Sequence, residues 1–433
     1  MTKRYAGLLA VASFAWSGAA AGAQGDGSLR IEDAVSFALS RNERARIADL
    51  NVTVASAAVD KARVAFLPTV GVGGQYVQKP DDVIASGKNS YTATASATVT
   101  QPLLNVAAFP LYASARRSLE AQQAQSTDDK RTLAFDAARA FFVALSADAV
   151  LAAANTRLDS AKENFKDTQE RAQAQLVSTN DVTRASIDLA NAVHDVETDK
   201  GSSHVAYLNL AYTINTPVPT KLDPPTTLLS AGRQTIPNAD GLVRLAIDRR
   251  PDLLAKRKAG MAAHDFAQEP LLRLVPTLAL SGSFQLSTDE TLLGHGFYNT
   301  ENVTLTLTWP LFDGGTRYAD KRSRDASAGI ADLTTDALTR SVDVEVRAAV
   351  ATLDAAQAAL AAAEQARDAA HKSREETDIL YKQGLAKAIE LIDATDSQFL
   401  ADVSYATSEY SVALAYLSLR QALGLDPLGT DLR

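Results

Sequence analysis

Hydrophobic and polar positions along this chain follow two alternating rhythms. From Ile31 to Phe66 apolar residues return at helical spacing, at Ala34, Ala38, Ala45, Ala48, Val52, Ala55 and Val59, which predicts a helix with one apolar stripe. Pro68 closes it, because proline lacks a donor and keeps the preceding residue out of helical geometry. The period then drops to two. Val70, Val72 and Tyr76 begin one strand, and Tyr91 to Thr100 alternates apolar with hydroxyl side chains without a break. Each predicts a strand with one apolar and one polar face. A long helix follows from Phe109 to about Gln175, then a return helix from Asp181 to Ile214. The same succession recurs: a helix over Leu242–Leu274, strands through Leu278, Leu280, Phe284, Leu286 and through Asn302–Trp309, a long helix over Thr316–Gln383 and a return helix over Glu390–Leu423.

Both long helices carry a heptad seam. Leu133, Ala137, Ala140, Ala144, Ala147, Leu151 and Ala154 are spaced alternately four and three, as are Val342, Val346, Ala349, Leu353, Ala356, Leu360 and Ala363. That spacing predicts coiled-coil packing, and alanine in the seam allows close approach. At 1.5 Å per residue, ~65 helical residues reach about 100 Å.

The chain is therefore duplicated. Pro68 recurs as Pro276 and Pro102 as Pro310, both 208 positions on; Leu176 aligns with Leu385 and Tyr207 with Tyr416, 209 positions on. One unit is expected over residues 24–215 and a second over 240–425, with a C-terminal tail at 426–433. Between them, residues 216–239 hold five of the fourteen prolines, which predicts an irregular, exposed connector.

The first 23 residues read as a signal peptide: Lys3 and Arg4, an apolar run from Tyr5 to Trp16, and Ala21-Gly22-Ala23 as the cleavage site. Its removal takes two basic residues and moves the net charge from −8 to −10. An acidic exported chain gives no support to nucleic-acid binding. There is no cysteine, so disulfides, thiol chemistry and an N-terminal lipid anchor are not expected. No stretch of 18 uninterrupted apolar residues follows the leader, so strands, not a helix, are expected to enter a membrane. Aromatics are only 6%, which suits close helix packing rather than a bulky core. No cofactor or metal is expected: His194, His204, His264, His295 and His371 lack metal-ligand spacing. Gly71-Val72-Gly73-Gly74 lies within a strand and opens no helix, so it is no phosphate loop, and no catalytic motif is present.

Four strands of about ten residues suit a tilted bilayer crossing. The alternation also fits a soluble antiparallel sheet with one wet face. The Thr, Ser and Gln faces and the aromatics Tyr91 and Trp309 at strand ends favour the membrane. In hydrocarbon every backbone donor and acceptor needs a partner, so a four-stranded sheet cannot stand alone. A closed barrel needs at least ~8 strands, hence more than one chain.

The ordered set Leu67-Pro68, Val275-Pro276, Trp309-Pro310-Leu311-Phe312-Asp313-Gly314-Gly315, Tyr381-Lys382-Gln383-Gly384 and Glu390-Leu391-Ile392-Asp393-Ala394 resembles the TolC family of outer membrane efflux proteins over essentially the whole mature chain. The resemblance implies a mainly α fold with a small β part. A long α-helical coiled-coil barrel runs into a transmembrane β-barrel of four strands per chain, closed only in a trimer of twelve strands. It also implies a location in the cell outer membrane reaching into the periplasm, no catalytic activity, and three kinds of partner beyond lipid: two further copies, a periplasmic adaptor (membrane fusion) protein, and an inner-membrane pump of RND or ABC type. Whether the exported cargo is a drug, a metal, another small molecule or a type I secreted protein stays open. Residue by residue, the family's periplasmic gate falls on Asp181, Tyr381, Glu390 and Asp393. Well-known members carry an arginine two residues after the glycine; Ala386 stands there, with Lys387 beside it, so the closing network is expected to be weaker or rewired. Adaptor contacts fall on the turns Leu176-Val177-Ser178 and Gly384-Leu385-Ala386.

Physical chemistry gives these residues a role and an alternative. Three copies of Asp393 around one axis would repel, bind cations and favour their passage. Asp181 and Glu390 also suit helix N-termini with no further role. Exposed leucines at a hairpin tip point to a partner, or to a simply capped turn. A periplasmic coiled-coil scaffold with a soluble sheet is the alternative function, although four strands are few for an adaptor.

Overall fold

The computed structural model describes residues 28–78, 80, 91–219, 221–236, 238–288 and 298–429. The expected signal peptide, His295, much of both strand connections and the last four residues lie outside the described residues.

The first unit contains β1 (Ser28–Leu29), α1 (Ile31–Arg41), α2 (Glu43–Arg63), β2 (Thr69–Gln78), β3 (Tyr91–Leu104), α3 (Ala108–Gln173) and α4 (Thr179–Ile214). A short strand β4 (Lys221–Leu222) and helix α5 (Thr226–Gly232) follow. The second unit contains α6 (Ala239–Arg249), α7 (Pro251–Leu272), β5 (Thr277–Ser287), β6 (Tyr298–Thr308), α8 (Thr316–Lys382) and α9 (Ala388–Ala422). The two long helices have 66 and 67 residues, about 100 Å each.

The expected single helices Ile31–Phe66 and Leu242–Leu274 are each broken once, at equivalent positions. Asn42 is extended (φ −75°, ψ 137°) and caps α2 by accepting from the Arg44 N–H at 2.9 Å. Its Nδ2 donates to the Thr213 carbonyl at 2.8 Å, fixing the joint to the end of α4. In the second unit the joint is Arg250 (φ −65°, ψ 119°). Pro251 forces it, since proline excludes helical geometry from the residue before it and suits the first position of the next helix.

Nine of the fourteen heptad-seam positions are buried; Ala140, Ala147, Leu151, Ala349 and Ala356 are half-buried. Leu133, Ala137, Ala144 and Ala154 in α3, and Val342, Val346, Leu353, Leu360 and Ala363 in α8, are all below a tenth exposed. The 18-residue windows of α3 and α8 with mean hydropathy 1.6 and 1.2 are long and apolar enough to cross a membrane. Both helices instead pack lengthwise on their return helices α4 and α9. Near mid-length the core is bulkier than the composition suggested: Phe135, Phe141 and Phe142 are fully buried, joined by Tyr410 and Tyr416.

The connector is not wholly irregular. β4 pairs in parallel with β1, and Leu222 and Leu228 are buried. Gly232 ends α5 against Val412 of α9, where a Cβ would meet Val412 Cγ1 at 3.1 Å.

The four longer strands form one antiparallel sheet in the order β2-β3-β5-β6. Each unit supplies one hairpin, and the hairpins join through β3 and β5. Among the described residues, β2 and β6 each have one edge without a neighbouring strand.

Candidate functional site

Directly opposed residues in an antiparallel sheet lie on the same face. The register therefore sorts the sheet into two faces. One cross-strand row reads Val70, Val99, Gly282, Val303; the next reads Val72, Ala97, Phe284, Glu301. On the opposite face the rows read Thr69, Thr100, Ser281, Thr304, then Gly71, Thr98, Ser283, Asn302, then Gly73, Ser96, Gln285, Thr300. One face is mainly apolar, with Glu301 as a charged exception, and uncovered, with Val72 85% and Val303 82% exposed. The other is lined by hydroxyls, amides and glycine.

The apolar face has aromatic side chains at both ends. Tyr76 and Tyr91 stack at 5.5 Å at the end remote from the helices. Trp309 follows β6 at the helical end, its indole N–H donating to the Leu274 carbonyl at 3.0 Å. β3 has 14 residues, about 45 Å at ~3.3 Å per residue; tilted ~45°, it rises about 30 Å, the thickness of a hydrocarbon core.

At the opposite end of the molecule lie the two hairpin tips, built alike. Gln175 (φ 60°) and Gly384 (φ 74°) take the left-handed conformation that ends α3 and α8. The next residues, Leu176 and Leu385, donate their N–H groups to the Arg171 and Leu380 carbonyls, each at 2.9 Å. These close the helix ends as Schellman turns. The geometry projects Leu176 and Leu385 outward, 74% and 73% exposed.

A family model described as "Outer membrane efflux protein" matches residues 34–216 and 242–425, the greater part of both units. The chain belongs to the outer membrane efflux protein family. It is a channel of the cell outer membrane that serves pump-coupled efflux. The family consists of channels, not enzymes, and its members form trimers that work with adaptor and pump partners.

Among curated relatives, the efflux protein is 22% identical to outer membrane protein TolC of Salmonella enteritidis over 391 residues, covering 84% of this chain and 76% of TolC. It is 24% identical to TolC of Vibrio cholerae over 372 residues, covering 85% and 84%. Its fold matches the open state of the Neisseria gonorrhoeae MtrE outer membrane channel with a TM-score of 0.78 at 21% identity, covering 93% and 91% of the two chains. The Campylobacter jejuni CmeC outer membrane channel matches with a TM-score of 0.77 at 15% identity, covering 92% and 87%.

The residues expected at the efflux protein's gate fall at the hairpin tips, in two groups. Tyr381, on α8, is buried (3%) against α3 and the start of α9, its hydroxyl 3.3 Å from Thr168 Oγ1. The Arg171 guanidinium lies over its ring at 4.4 Å and donates to its carbonyl at 3.2 Å. Asp181 and Glu390 cap helices. The Asp181 carboxylate accepts from the Ser178 N–H at 3.1 Å and its hydroxyl at 2.8 Å, and the Ser178 hydroxyl accepts from the Asp181 N–H at 3.2 Å. Glu390 accepts from the Lys387 N–H at 3.1 Å; lysine has no acceptor to return the bond. Asp393 is exposed on α9. Of the turn residues, Ser178 and Gly384 are exposed and Val177 is half-buried. Ala386 instead packs against the small cluster of Tyr381, Ala388 and Leu391.

Sequence reasoning did not find Arg157. Only 7% exposed in α3, it binds carboxylates of both units: Asp188 (3.1 Å) and Asp195 (2.6 Å) in α4, and Asp396 (2.7 Å) in α9. Burial raises the Asp188 carboxyl above the usual carboxylate range; the Asp396 charge adds to this, Arg157 opposes it and Asp195 adds again. The signal was available: an arginine on an alanine-rich helix, matched by two aspartates, Asp188 and Asp195, about two turns apart on the return helix of the hairpin. Among the described residues no cluster of three His, Cys, Asp or Glu could hold a metal.

Proposed function

We propose that three copies of the mature chain close a twelve-stranded barrel through their β2 and β6 edges. The apolar face meets lipid and the hydroxyl face lines the lumen. The observation that carries this reading is the sorted sheet with two unpaired edges: in hydrocarbon those edges must be filled, four strands are too few to close, and twelve leave a lumen. Four long helices per chain continue the barrel as a twelve-helix tunnel into the periplasm. Residues 24–215 and 240–425 act as two repeat units around the 216–239 connector, after removal of residues 1–23.

The hairpin tips form the periplasmic mouth. Asp393, with Glu390 one turn before it, gives the mouth an acidic ring, and Asp181, Tyr381 and Lys387 complete the gate. Leu176, Val177, Ser178, Gly384, Leu385 and Ala386 supply the surface for a periplasmic adaptor, with the two exposed leucines as its anchors. An inner-membrane pump of RND or ABC type drives the export. The TolC and MtrE likenesses and the family match support this reading. Reconstitution in planar bilayers tests it: trimers should give stable conductance blocked by divalent cations from the periplasmic side, and a preparation that never conducts would overturn it.

A further inference from the structure

Arg157 lies 16 residues before the end of α3, about 24 Å above the tip. Its guanidinium joins three helices at one point. Nε and one terminal nitrogen donate to Asp396 Oδ1 at 3.0 and 2.7 Å; the same terminal nitrogen reaches Asp188 at 3.1 Å and the other reaches Asp195 at 2.6 Å. The ring of Phe399, one turn along α9 from Asp396, lies 5.3 Å from its centre. Two of the three carboxylates belong to α4, in the same hairpin as Arg157. The third belongs to α9, in the other unit.

This division makes the contact to α9 detachable. When α9 moves away, Arg157 keeps Asp188 and Asp195 and is not left as an unpaired buried charge, the outcome that makes most buried ion pairs costly to break. The Asp396 side chain is 41% exposed, so it rehydrates readily. Its charge also repels Asp188, and departure relieves that repulsion. Arg131, also buried, differs: its carboxylate partner, Asp128, lies three residues away on its own helix. Arg157 therefore ties two units with little lost on release. Asp393 precedes Asp396 by three residues on α9, ~4.5 Å along the axis, so a rigid helix moves the two together.

We propose that Arg157 is a positioning residue of the periplasmic gate: by gripping Asp396 it holds α9, and with it the acidic face of Asp393, against the first hairpin, and release of Asp396 is a step in opening. This rests on the reading of the hairpin tips as a gate. Arg171, 14 residues further along α3, holds α8 through Tyr381 in the same way. The two arginines are successive rungs from one helix to both members of the second hairpin. They come from the first unit, whereas position 386 in the second carries alanine.

The test uses the full-length protein in planar bilayers. Asp396→Asn leaves Arg157 paired within its own hairpin, so the trimer should assemble normally while mean conductance rises several-fold. Arg157→Ala should raise it at least as much. The conservative Asp396→Glu keeps the negative charge that faces Arg157 across the two units and should stay near wild type; a merely structural role of the side chain predicts that Asp396→Asn, the closer match in size, is the milder of the two. Should Arg157→Ala fail to assemble, Asp396→Asn and Asp396→Glu carry the test. Wild-type conductance in Asp396→Asn, or an Asp396→Glu no closer to wild type than Asp396→Asn, overturns the proposal. Asp393→Ala, run in parallel, separates the two claims. If it leaves divalent block unchanged, the gate reading fails; if it weakens block while Asp396→Asn changes nothing, only the Arg157 assignment fails.

Discussion

Val303 and Thr304 are neighbours at the centre of β6 that point to opposite faces. Val303 sits sixth of 11 residues, in the row of Val70, Val99 and Gly282, and is 82% exposed in the single chain. Thr304 lies in the hydroxyl row with Ser281, Thr100 and Thr69. If the apolar row faces lipid, Val303→Lys places an ammonium near the bilayer midplane, at a cost of about 2–4 kcal/mol. Three copies multiply this to about 6–12 kcal/mol per trimer. Even one copy shifts the folding equilibrium about 30- to 1,000-fold. Thr304→Lys puts the same charge into the water-filled lumen and should cost under ~1 kcal/mol. Trp309 reports on the difference directly. The chain has two tryptophans, Trp16 and Trp309; with the proposed removal of residues 1–23 only Trp309 remains, at the helical end of β6. Urea titration of its fluorescence in liposomes should give a clearly lower midpoint for Val303→Lys and a nearly unchanged one for Thr304→Lys. Equal midpoints for the two variants would refute the assignment of faces.

Three further outcomes follow from the hairpin end. Asp393→Ala combined with Glu390→Ala should weaken divalent-cation block in single-channel recordings, because the acidic ring loses its charge; unchanged block would count against an acidic mouth. Leu176→Asp with Leu385→Asp should abolish efflux in cells while leaving bilayer conductance intact, since both leucines are exposed at the tips; retained efflux would remove them as adaptor anchors. Asp188 faces Arg157 of α3, Asp195 of its own helix and Asp396 of α9, and its carboxyl is held above the usual range chiefly by burial. Withdrawal of Asp396 removes one of the charges that raise this carboxyl, so Asp188 binds its proton more tightly in the tied arrangement than in the released one. Acidification from neutral toward the ordinary aspartate range near ~4 should therefore lower mean conductance, and Asp188→Asn should flatten that dependence; an identical pH profile in the variant would exclude Asp188.

Most of the architecture was legible because it is written in periodicity. The seam from Leu133 to Ala154 and its counterpart from Val342 to Ala363 are spaced as a coiled coil requires, and nine of their fourteen positions are buried. The strands were readable from alternation, and their register follows the hydroxyl positions. What escaped was local. The break at Asn42 depends on a hydrogen bond to the Thr213 carbonyl, 171 residues away, which no local pattern carries. The break at Arg250 was visible in Pro251 and was masked by apolar spacing that continues across it. The connector's order comes from Leu222 and Leu228 finding buried sites on other elements, again a tertiary effect. The tips divide in the same way. The turn at Gly384 announces itself through glycine, whereas Gln175 adopts the same left-handed backbone with a side chain (φ 60°), at about 1–2 kcal/mol. The Arg157 cluster joins residues 31, 38 and 239 positions apart, and only the packing of α3 between α4 and α9 brings them together.

The sheet with two open edges leads to one decisive quantity, the number of chains in the detergent-solubilised particle. Native mass spectrometry of the purified mature protein should give three times the mass of a single chain, with no stable monomer while the particle stays folded. A folded, water-soluble particle of one chain would contradict the account at its root.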